Sequence, residues 1–286
     1  MATWRFDAIG VPWAIDTPEE LPESLRHRIS DRIERFDATY SRFRDDSLVA
    51  HLSRAPGTYT FPDDITGLVE IYDTLFAATS GALNPLVGPA LDHWGYDSGY
   101  RLVPAEGAPP TIPAFSDMLS LDGTTLSAPK TLGLDIGAVG KGYLVDNVAQ
   151  LLLEEGLDHG IVDASGDMRH LGGPAERVGL EHPDHPDRVV GAVELTAVSL
   201  AASSPSRRTW APGVHHILDA LTGLPTSSIR ASWVLAGDCA VADAGATALF
   251  TTAPERLEEY FSFHWVVLEA NGRLRHSNDF PGEVYP

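Results

Sequence analysis

The stretch Leu134–Gly142, which reads LDIGAVGKG, limits most strongly how this chain can fold. Its three glycines lie between a short apolar run and a periodic apolar pattern over Tyr143–Leu153. This order predicts a strand over Leu132–Ile136, then a glycine-rich turn, then a helix. Backbone N–H groups in such a turn can approach a ligand closely, and the helix N-terminus favours negative charge. Because Lys141 adds a point charge suited to phosphate, the stretch by itself weakly predicts a phosphate site.

Composition excludes several classes of protein. The 286 residues are 43% hydrophobic, which is typical of one packed globular domain or two closely packed lobes. The formal net charge of −20 argues against nucleic-acid binding, which needs a basic face. Cys239 is the single cysteine, so an internal disulfide and a cysteine-based zinc site are excluded. No signal peptide or bilayer-long apolar run is recognisable, so we expect a cytoplasmic protein without stable membrane insertion.

The remaining segments predict antiparallel strand pairs that alternate with a few helices. Trp4–Ile15 is expected to form one bent strand, and a hairpin is expected around Asp122–Gly123. Since no unbroken series of βαβ units is present, we predict an α+β fold. Residues 1–286 are expected to form a single domain, with the Pro-rich segment Asp97–Ser116 as a surface connection.

Two polar segments leave alternatives open. Arg42 and Arg44 flank Phe43, an arrangement that suits phosphate binding and aromatic stacking but suits a surface turn better. Asp163 and Asp167 bracket a glycine turn. Such a pair can bind a metal or can shape the turn through side-chain hydrogen bonds, and turn-shaping is favoured.

Asp243 and Thr247 are spaced i, i+4 within the helical pattern Asp238–Leu249. This spacing places a carboxylate and a hydroxyl oxygen on one helix face. Hard cations such as Mg²⁺ prefer oxygen ligands, often with a substrate phosphate. The surrounding residues are too apolar for an exposed helix, and a buried Asp needs a partner, which a cation would supply.

Seven motifs in order along the chain resemble the ApbE-type FAD:protein FMN transferases. They are Ile9–Trp13, Ser41–Ser47, Thr79–Pro89, Asp135–Gly142, Ala164–Asp167, His216–Gly223 and Ala242–Phe250. The resemblance covers nearly the whole chain. It implies a fold related to the T-fold, with mixed and antiparallel sheets and a ligand cleft between two interleaved lobes.

The same resemblance implies a flavin site and a metal site. Asp135 and Lys141 would hold the adenosine and phosphate region of FAD. The walls of the flavin and adenine sites would be Ile9, Phe43, Ala82, Leu83, Asn84 and Ile217. The Mg²⁺ ligands would be Asp243, Thr247 and backbone oxygens near Ala138 and Ala246.

The implied reaction transfers FMN from FAD to a Thr or Ser hydroxyl of an acceptor flavoprotein that carries a flavinylation motif, and AMP leaves. His216 would accept the hydroxyl proton, with Asp219 as a group that orients it, while Lys141 and the cation held by Asp243 neutralise phosphate charge. A structural role for His216 has equal weight. The rival functions are an FAD pyrophosphatase and a flavin-binding protein without turnover. Departures from the family pattern at Ile9 and Asn84 put flavin affinity in question.

Overall fold

The computed structural model describes residues 1–285, in which seven α-helices and eighteen strands follow one another along the chain. The helices are α1 (Glu23–Tyr40), α2 (Leu48–Arg54), α3 (Asp64–Ala78), α4 (Gly88–His93), α5 (Gly140–Glu154), α6 (Cys239–Ala248) and α7 (Pro254–Leu257). Short 3₁₀ turns lie at Pro85–Val87, Phe115–Asp117 and Ser206–Arg208.

The first seven strands are β1 (Ala2–Ala8), β2 (Val11–Thr17), β3 (Gly57–Thr60), β4 (Ser120–Asp122), β5 (Thr125–Ala128), β6 (Gly160–Asp163) and β7 (Asp167–Gly172). The next strands are β8 (Glu176–His182), β9 (His185–Leu195), β10 (Ser199–Ser203), β11 (Thr209–Ala211), β12 (Val214–His215) and β13 (Leu218–Asp219). The last are β14 (Leu224–Pro225), β15 (Ile229–Ala236), β16 (His264–Glu269), β17 (Leu274–His276) and β18 (Gly282–Val284).

A central sheet of eight strands organises the fold, in the order β1-β2-β6-β7-β10-β15-β16-β17. Every neighbouring pair in this sheet is antiparallel. Two three-stranded sheets, β18-β9-β8 and β3-β5-β4, and two short hairpins complete the strands. The hairpin predicted around Asp122–Gly123 is formed by β4 and β5. The predicted α+β class with antiparallel pairing is therefore confirmed.

Strand β15 shows how the layers are arranged. Val234 and Ala236 belong to the large core that the helices share, whereas Trp233 and Leu235 belong to a second core with Leu180 on β8. Since successive side chains of a strand point to opposite faces, the central sheet separates the two cores. Helices cover one face, and the β18-β9-β8 sheet covers the other.

The prediction of one bent strand over Trp4–Ile15 is wrong, because β1 and β2 form a tight hairpin there. The two turn residues both have positive φ, +47° at Ile9 and +76° at Gly10. Two consecutive positive φ values are the signature of a type I′ turn, whose twist matches that of the flanking strands. Ile9 is β-branched and adopts this conformation only at a cost.

The predicted strand over Leu132–Ile136 is also wrong, because the segment has no regular secondary structure. Its backbone N–H groups bond to distant elements instead: Leu132 N donates to Leu52 O at 3.2 Å, and Asp135 N donates to Pro85 O at 2.7 Å. The alternating apolar residues are buried in the helix-side core. Burial thus explains the apolar pattern without a strand.

Residues 97–114 form neither helix nor strand and lead from α4 to the 3₁₀ turn at Phe115–Asp117. Tyr100, Leu102 and Val103 on this connection are exposed. None of the helices within residues 1–285 has the length and apolar character that crossing a membrane requires. The division into interleaved lobes stays a prediction.

Candidate active site

A cavity of about 1020 Å³ is bounded by segments from all along the chain. Most of the residues predicted to form the site line it: Phe43, Ala82, Leu83, Asn84, Asp135, Ala138, Lys141, His216, Ile217, Asp243 and Thr247. Among the described residues, Ile9 and Ala246 are predicted site residues that do not line it. Ile9 lies in the β1–β2 turn, beside Gly10, which does line the cavity.

Helices α5 and α6 approach each other closely at Gly142. A Cβ atom at this position would lie 2.3 Å from Cys239 O and 2.8 Å from the Cβ of Asp243. The missing side chain lets the Gly142 backbone N–H donate to Oδ2 of Asp243 at 3.0 Å. The glycine-rich turn therefore positions the Asp243 carboxylate rather than only exposing backbone to a ligand.

Replacing Gly142 with alanine is expected to destabilise the protein by about 1–3 kcal/mol, because overpacking against backbone atoms forces the two helices apart. Urea unfolding of the variant measures this loss. Gly237→Ala is the matched control, since nothing lies within 4 Å of a Cβ at Gly237, just before α6. Equal stability of the Gly142 and Gly237 variants would contradict the close helix contact.

Three charged side chains meet at this helix contact. The ammonium of Lys141 forms an ion pair with Asp167, whose side chain is fully buried. Burial and the charge of Asp167 raise the pKa of Asp243 well above its usual range, although Lys141 and the Gly142 N–H oppose the shift. Burial alone would lower the pKa of Lys141, but the two carboxylates outweigh it and raise that pKa. Lys141 is therefore stabilised as an ammonium by the two acids beside it.

Asp167 is a residue whose position in the site was not expected from sequence. Asp163 does shape the turn, because its Oδ1 accepts a hydrogen bond from Gly166 N at 2.9 Å. Within the described chain, the Asp167 carboxylate makes no such hydrogen bond to the turn and contacts the Lys141 ammonium instead. The turn-shaping interpretation is thus correct for Asp163 and wrong for Asp167. The signal available in the sequence was the position of Asp167 at the end of one of the seven motifs.

The oxygens around Asp243 fit a hard cation. Thr247 lies one helical turn after Asp243, and its hydroxyl is 3.4 Å from the hydroxyl of Ser203. The Ala246 carbonyl instead accepts a hydrogen bond from the buried Ser232 hydroxyl at 2.6 Å, and Ala246 does not line the cavity, so its role as a ligand stays a prediction. Within residues 1–285, no three His, Cys, Asp or Glu side chains could hold a metal by themselves. A cation here would need the hydroxyl, backbone or substrate oxygens that Mg²⁺ accepts.

His216 lies in the link between β12 and β13 and lines the cavity. Burial, with the nearby charge of Arg208, lowers the pKa of His216 to about 3. Over the described residues, Nδ1 of His216 is buried without a hydrogen-bond partner. A pKa near 3 by itself makes the imidazole a weak base, and phosphate charge bound beside it would raise that pKa toward the range of a general base.

The neighbours of His216 have structural roles. Nε2 of His215 lies 2.8 Å from Thr226 O, and its Nδ1 accepts from Ile217 N at 3.2 Å. Oδ1 of Asp219 accepts from Leu221 N at 2.8 Å, which shapes the following turn. No hydrogen bond within the described chain joins Asp219 to His216, so the expected orienting role of Asp219 is wrong.

Asp135 is held by the protein on both carboxylate oxygens. Its Oδ2 accepts from Nε of Arg42 at 2.6 Å, and its Oδ1 accepts from Gly137 N at 2.7 Å. Arg42 also pairs with Asp92 at 2.9 Å and lies 4.5 Å from the ring centroid of Phe43. Arg42 therefore fixes Asp135 and Phe43 relative to each other, and the nucleotide contact of Asp135 stays a prediction.

Phe43 and Tyr96 are two aromatic residues that line the cavity, and each is stacked on a further ring that does not line it. Phe43 stacks on Tyr100 with centroids 5.0 Å apart, and Tyr96 stacks on Trp210 at 5.5 Å. Asn84 caps the adjacent 3₁₀ turn, since its Oδ1 accepts from Leu86 N at 3.0 Å. An aromatic ligand can stack on such rings.

Two solved structures have the same fold. The ApbE protein of Thermotoga maritima matches with a TM-score of 0.85 and 21% identity, covering 98% of this chain and 97% of that one. The flavin transferase ApbE of Vibrio cholerae matches with a TM-score of 0.76 and 22% identity, covering 98% and 97%. At this identity the likeness defines the fold, which is that of the ApbE flavin transferases.

Sequence comparison assigns the chain to a family. The sequence model of the ApbE family matches residues 9–269. This chain therefore belongs to the ApbE family. A Klebsiella pneumoniae protein named FAD:protein FMN transferase is 25% identical, with 94% of this chain and 82% of that protein covered. A Vibrio cholerae protein of the same name is 28% identical, with 82% and 75% covered. The resemblance predicted from the seven motifs is confirmed.

Proposed function

We propose that this chain is an FAD:protein FMN transferase, which moves FMN from FAD to a Thr or Ser hydroxyl of an acceptor protein and releases AMP. The observation that carries the proposal is the convergence of Lys141, His216, Asp243 and Thr247 on one cavity. The names of the Klebsiella and Vibrio relatives support it. The cavity volume of about 1020 Å³ lies at the upper end of the range for small-molecule sites, roughly 300–1,000 Å³.

The reaction joins the acceptor hydroxyl oxygen to the FMN-side phosphorus of FAD. The bond from that phosphorus to the bridging oxygen breaks, and AMP leaves with the electron pair. His216 accepts the hydroxyl proton at a ring nitrogen, and among the described residues its Nδ1 has no hydrogen-bond partner that would block this role. Lys141 places its charge beside the phosphate oxygens as negative charge moves toward the leaving AMP.

Asp243 and Thr247 would hold a divalent cation, most simply Mg²⁺, with a backbone oxygen near Ala138. The buried carboxylate of Asp243 and the half-buried hydroxyl of Thr247, one helical turn apart, are the donor types that this ion prefers. When bound, the cation would supply Lewis-acid stabilisation of the phosphate charge. Phe43 and Ile217 line the cavity where the rings of FAD would stack.

The acceptor is expected to present a Thr or Ser in a flavinylation motif to the open side of the cavity. A cytoplasmic location stays a prediction, which fractionation of cells and immunoblotting would check. The pyrophosphatase alternative uses the same cavity with water as the nucleophile. The binding-protein alternative is disfavoured by the buried Asp243, which a flavin-storage site would not need.

Incubation with FAD, Mg²⁺ and an acceptor flavoprotein domain is expected to make the acceptor covalently fluorescent, with one AMP released for each flavin attached. In-gel fluorescence and chromatography of nucleotides measure the two products. An acceptor whose Thr is replaced by Val is the control. AMP and FMN released at equal rates with and without the acceptor would establish the pyrophosphatase, and no AMP under any condition would establish a binding protein.

A further inference from the structure

We infer that Asp167 is a positioning residue of this site, which draws the Lys141 ammonium away from Asp243 and so leaves Asp243 free for the cation. This inference rests on the proposed function only for the presence of a divalent cation. It adds a second carboxylate to the site, on β7, whereas the predicted ligands all lie on or near α5 and α6.

Burial is the first observation. The side chain of Asp167 is fully excluded from solvent, and its ion pair within residues 1–285 is with Lys141. A buried carboxylate costs several kcal/mol when it has no charged or hydrogen-bonding partner. The Lys141 ammonium is the cation in contact with the Asp167 carboxylate, so Lys141 is the group that compensates this charge.

Competition for Lys141 is the second step. Lys141 contacts Asp167 and directly precedes Gly142, whose N–H binds Asp243, so both carboxylates lie beside the lysine. Its ammonium contacts Asp167, while the Asp243 carboxylate accepts the Gly142 N–H and faces the cavity. Without the charge on Asp167, the ammonium would pair with Asp243 and occupy the position that a cation needs.

The charge of the cluster is the third step. With Asp243 ionised, as a carboxylate that ligates a cation must be, the two carboxylates and one ammonium sum to one net negative charge at the helix contact. The two other nearby acids have their own hydrogen-bond donors. Asp163 accepts from the Gly166 N–H, and Asp146 accepts from Arg169 and from the first N–H groups of α6. A divalent cation would turn the net charge of the cluster positive, which suits a pyrophosphate. Asp167 thus sets the charge balance of the site without touching the substrate.

The test is a titration of the flavin-free protein with Mn²⁺, in which the EPR signal of free Mn²⁺ measures how much of the ion is bound. Asp167→Asn is expected to weaken binding by about 10–100-fold, the usual effect of removing a group that supports metal ligands. Asp163→Asn is the matched control, since it removes a charge from the same turn and keeps the hydrogen bond to Gly166. Wild-type affinity in the Asp167 variant, or an equal loss in the Asp163 variant, would overturn the inference.

A double variant covers the case in which Asp167→Asn does not fold. Asp167→Asn with Lys141→Gln removes both members of the buried pair and leaves no lone charge. Because no ammonium then competes for Asp243, Mn²⁺ affinity is expected to return to within a few-fold of the wild type. Mn²⁺ affinity more than tenfold weaker than that of the wild type in the double variant would overturn the inference. Since these titrations need no flavin, a failure of flavin transfer would count only against the proposed function.

Discussion

Asp243→Ala is expected to slow flavin transfer by roughly 10²–10³-fold, since Lewis-acid stabilisation of phosphate charge is worth several kcal/mol. The Asp243 side chain is buried, lines the cavity and is the predicted carboxylate ligand of the cation. Transfer rates at saturating FAD and a range of Mg²⁺ concentrations measure the effect. The loss of transfer rate should persist at Mg²⁺ concentrations that give the wild type its full activity.

Asp238→Ala is the control for this variant. Asp238 directly precedes α6, and its exposed carboxylate pairs with Arg169 outside the cavity. Its removal is expected to leave transfer unchanged. Asp243→Ala also leaves the Gly142 N–H without its acceptor, at a cost of about 1–3 kcal/mol in stability. Thermal unfolding therefore accompanies each assay, and a well-folded Asp243 variant with wild-type transfer would show that the metal assignment is wrong.

The helix-borne half of the site was predictable because helix geometry is local. The i, i+4 spacing of Asp243 and Thr247 places both on one face in any fold. The glycine turn before α5 was likewise visible, and Lys141 does line the cavity. The spacing of residues in the sequence could not reveal that Gly142 lies at the close contact between α5 and α6.

The segment Leu132–Ile136 shows why local pattern can mislead. Alternating apolar residues predict a strand only if a neighbouring strand is available for pairing. Here Leu132 and Asp135 donate to carbonyls of distant segments instead, so the burial pattern is kept and the ladder is absent. The turn at Ile9 was missed for a related reason: β-branched residues seldom adopt positive φ, so the hairpin signal was weak.

Asp167 was beyond local reasoning altogether. Two acids around a glycine turn are equivalent in sequence, and the direction of each depends on strand pairing. Because β7 lies between β6 and β10, Asp167 begins a central strand and is enclosed by the sheet and the helices that cover it. Asp163 ends β6 and accepts a hydrogen bond within the turn. Only the tertiary arrangement separates their roles.

His216→Asn is expected to reduce the rate of flavin transfer by about 10²–10⁴-fold, the usual contribution of a general base. The exposed His185→Asn in the β8–β9 hairpin is the control, with wild-type rates expected. Because the pKa of His216 is lowered to about 3, the imidazole stays neutral between pH 5 and 8. The wild-type rate should therefore show no inflection near pH 6.5 from this residue. Wild-type transfer by the His216 variant would contradict the base assignment, whereas an inflection near pH 6.5 that the variant loses would show that the imidazole titrates normally during the reaction.

Acid stability tests the burial of His216 independently of catalysis. Between pH 6.5 and about 3 the unfolded chain binds a proton on His216 that the folded chain excludes, so the wild type loses stability as pH falls. Asn at this position binds no proton in either state. The free energy of unfolding of the wild type relative to the variant should therefore fall by up to about 1.4 kcal/mol per pH unit below 6.5. Urea unfolding at pH 7 and pH 5 measures the difference, and an unchanged difference would show that His216 is open to water.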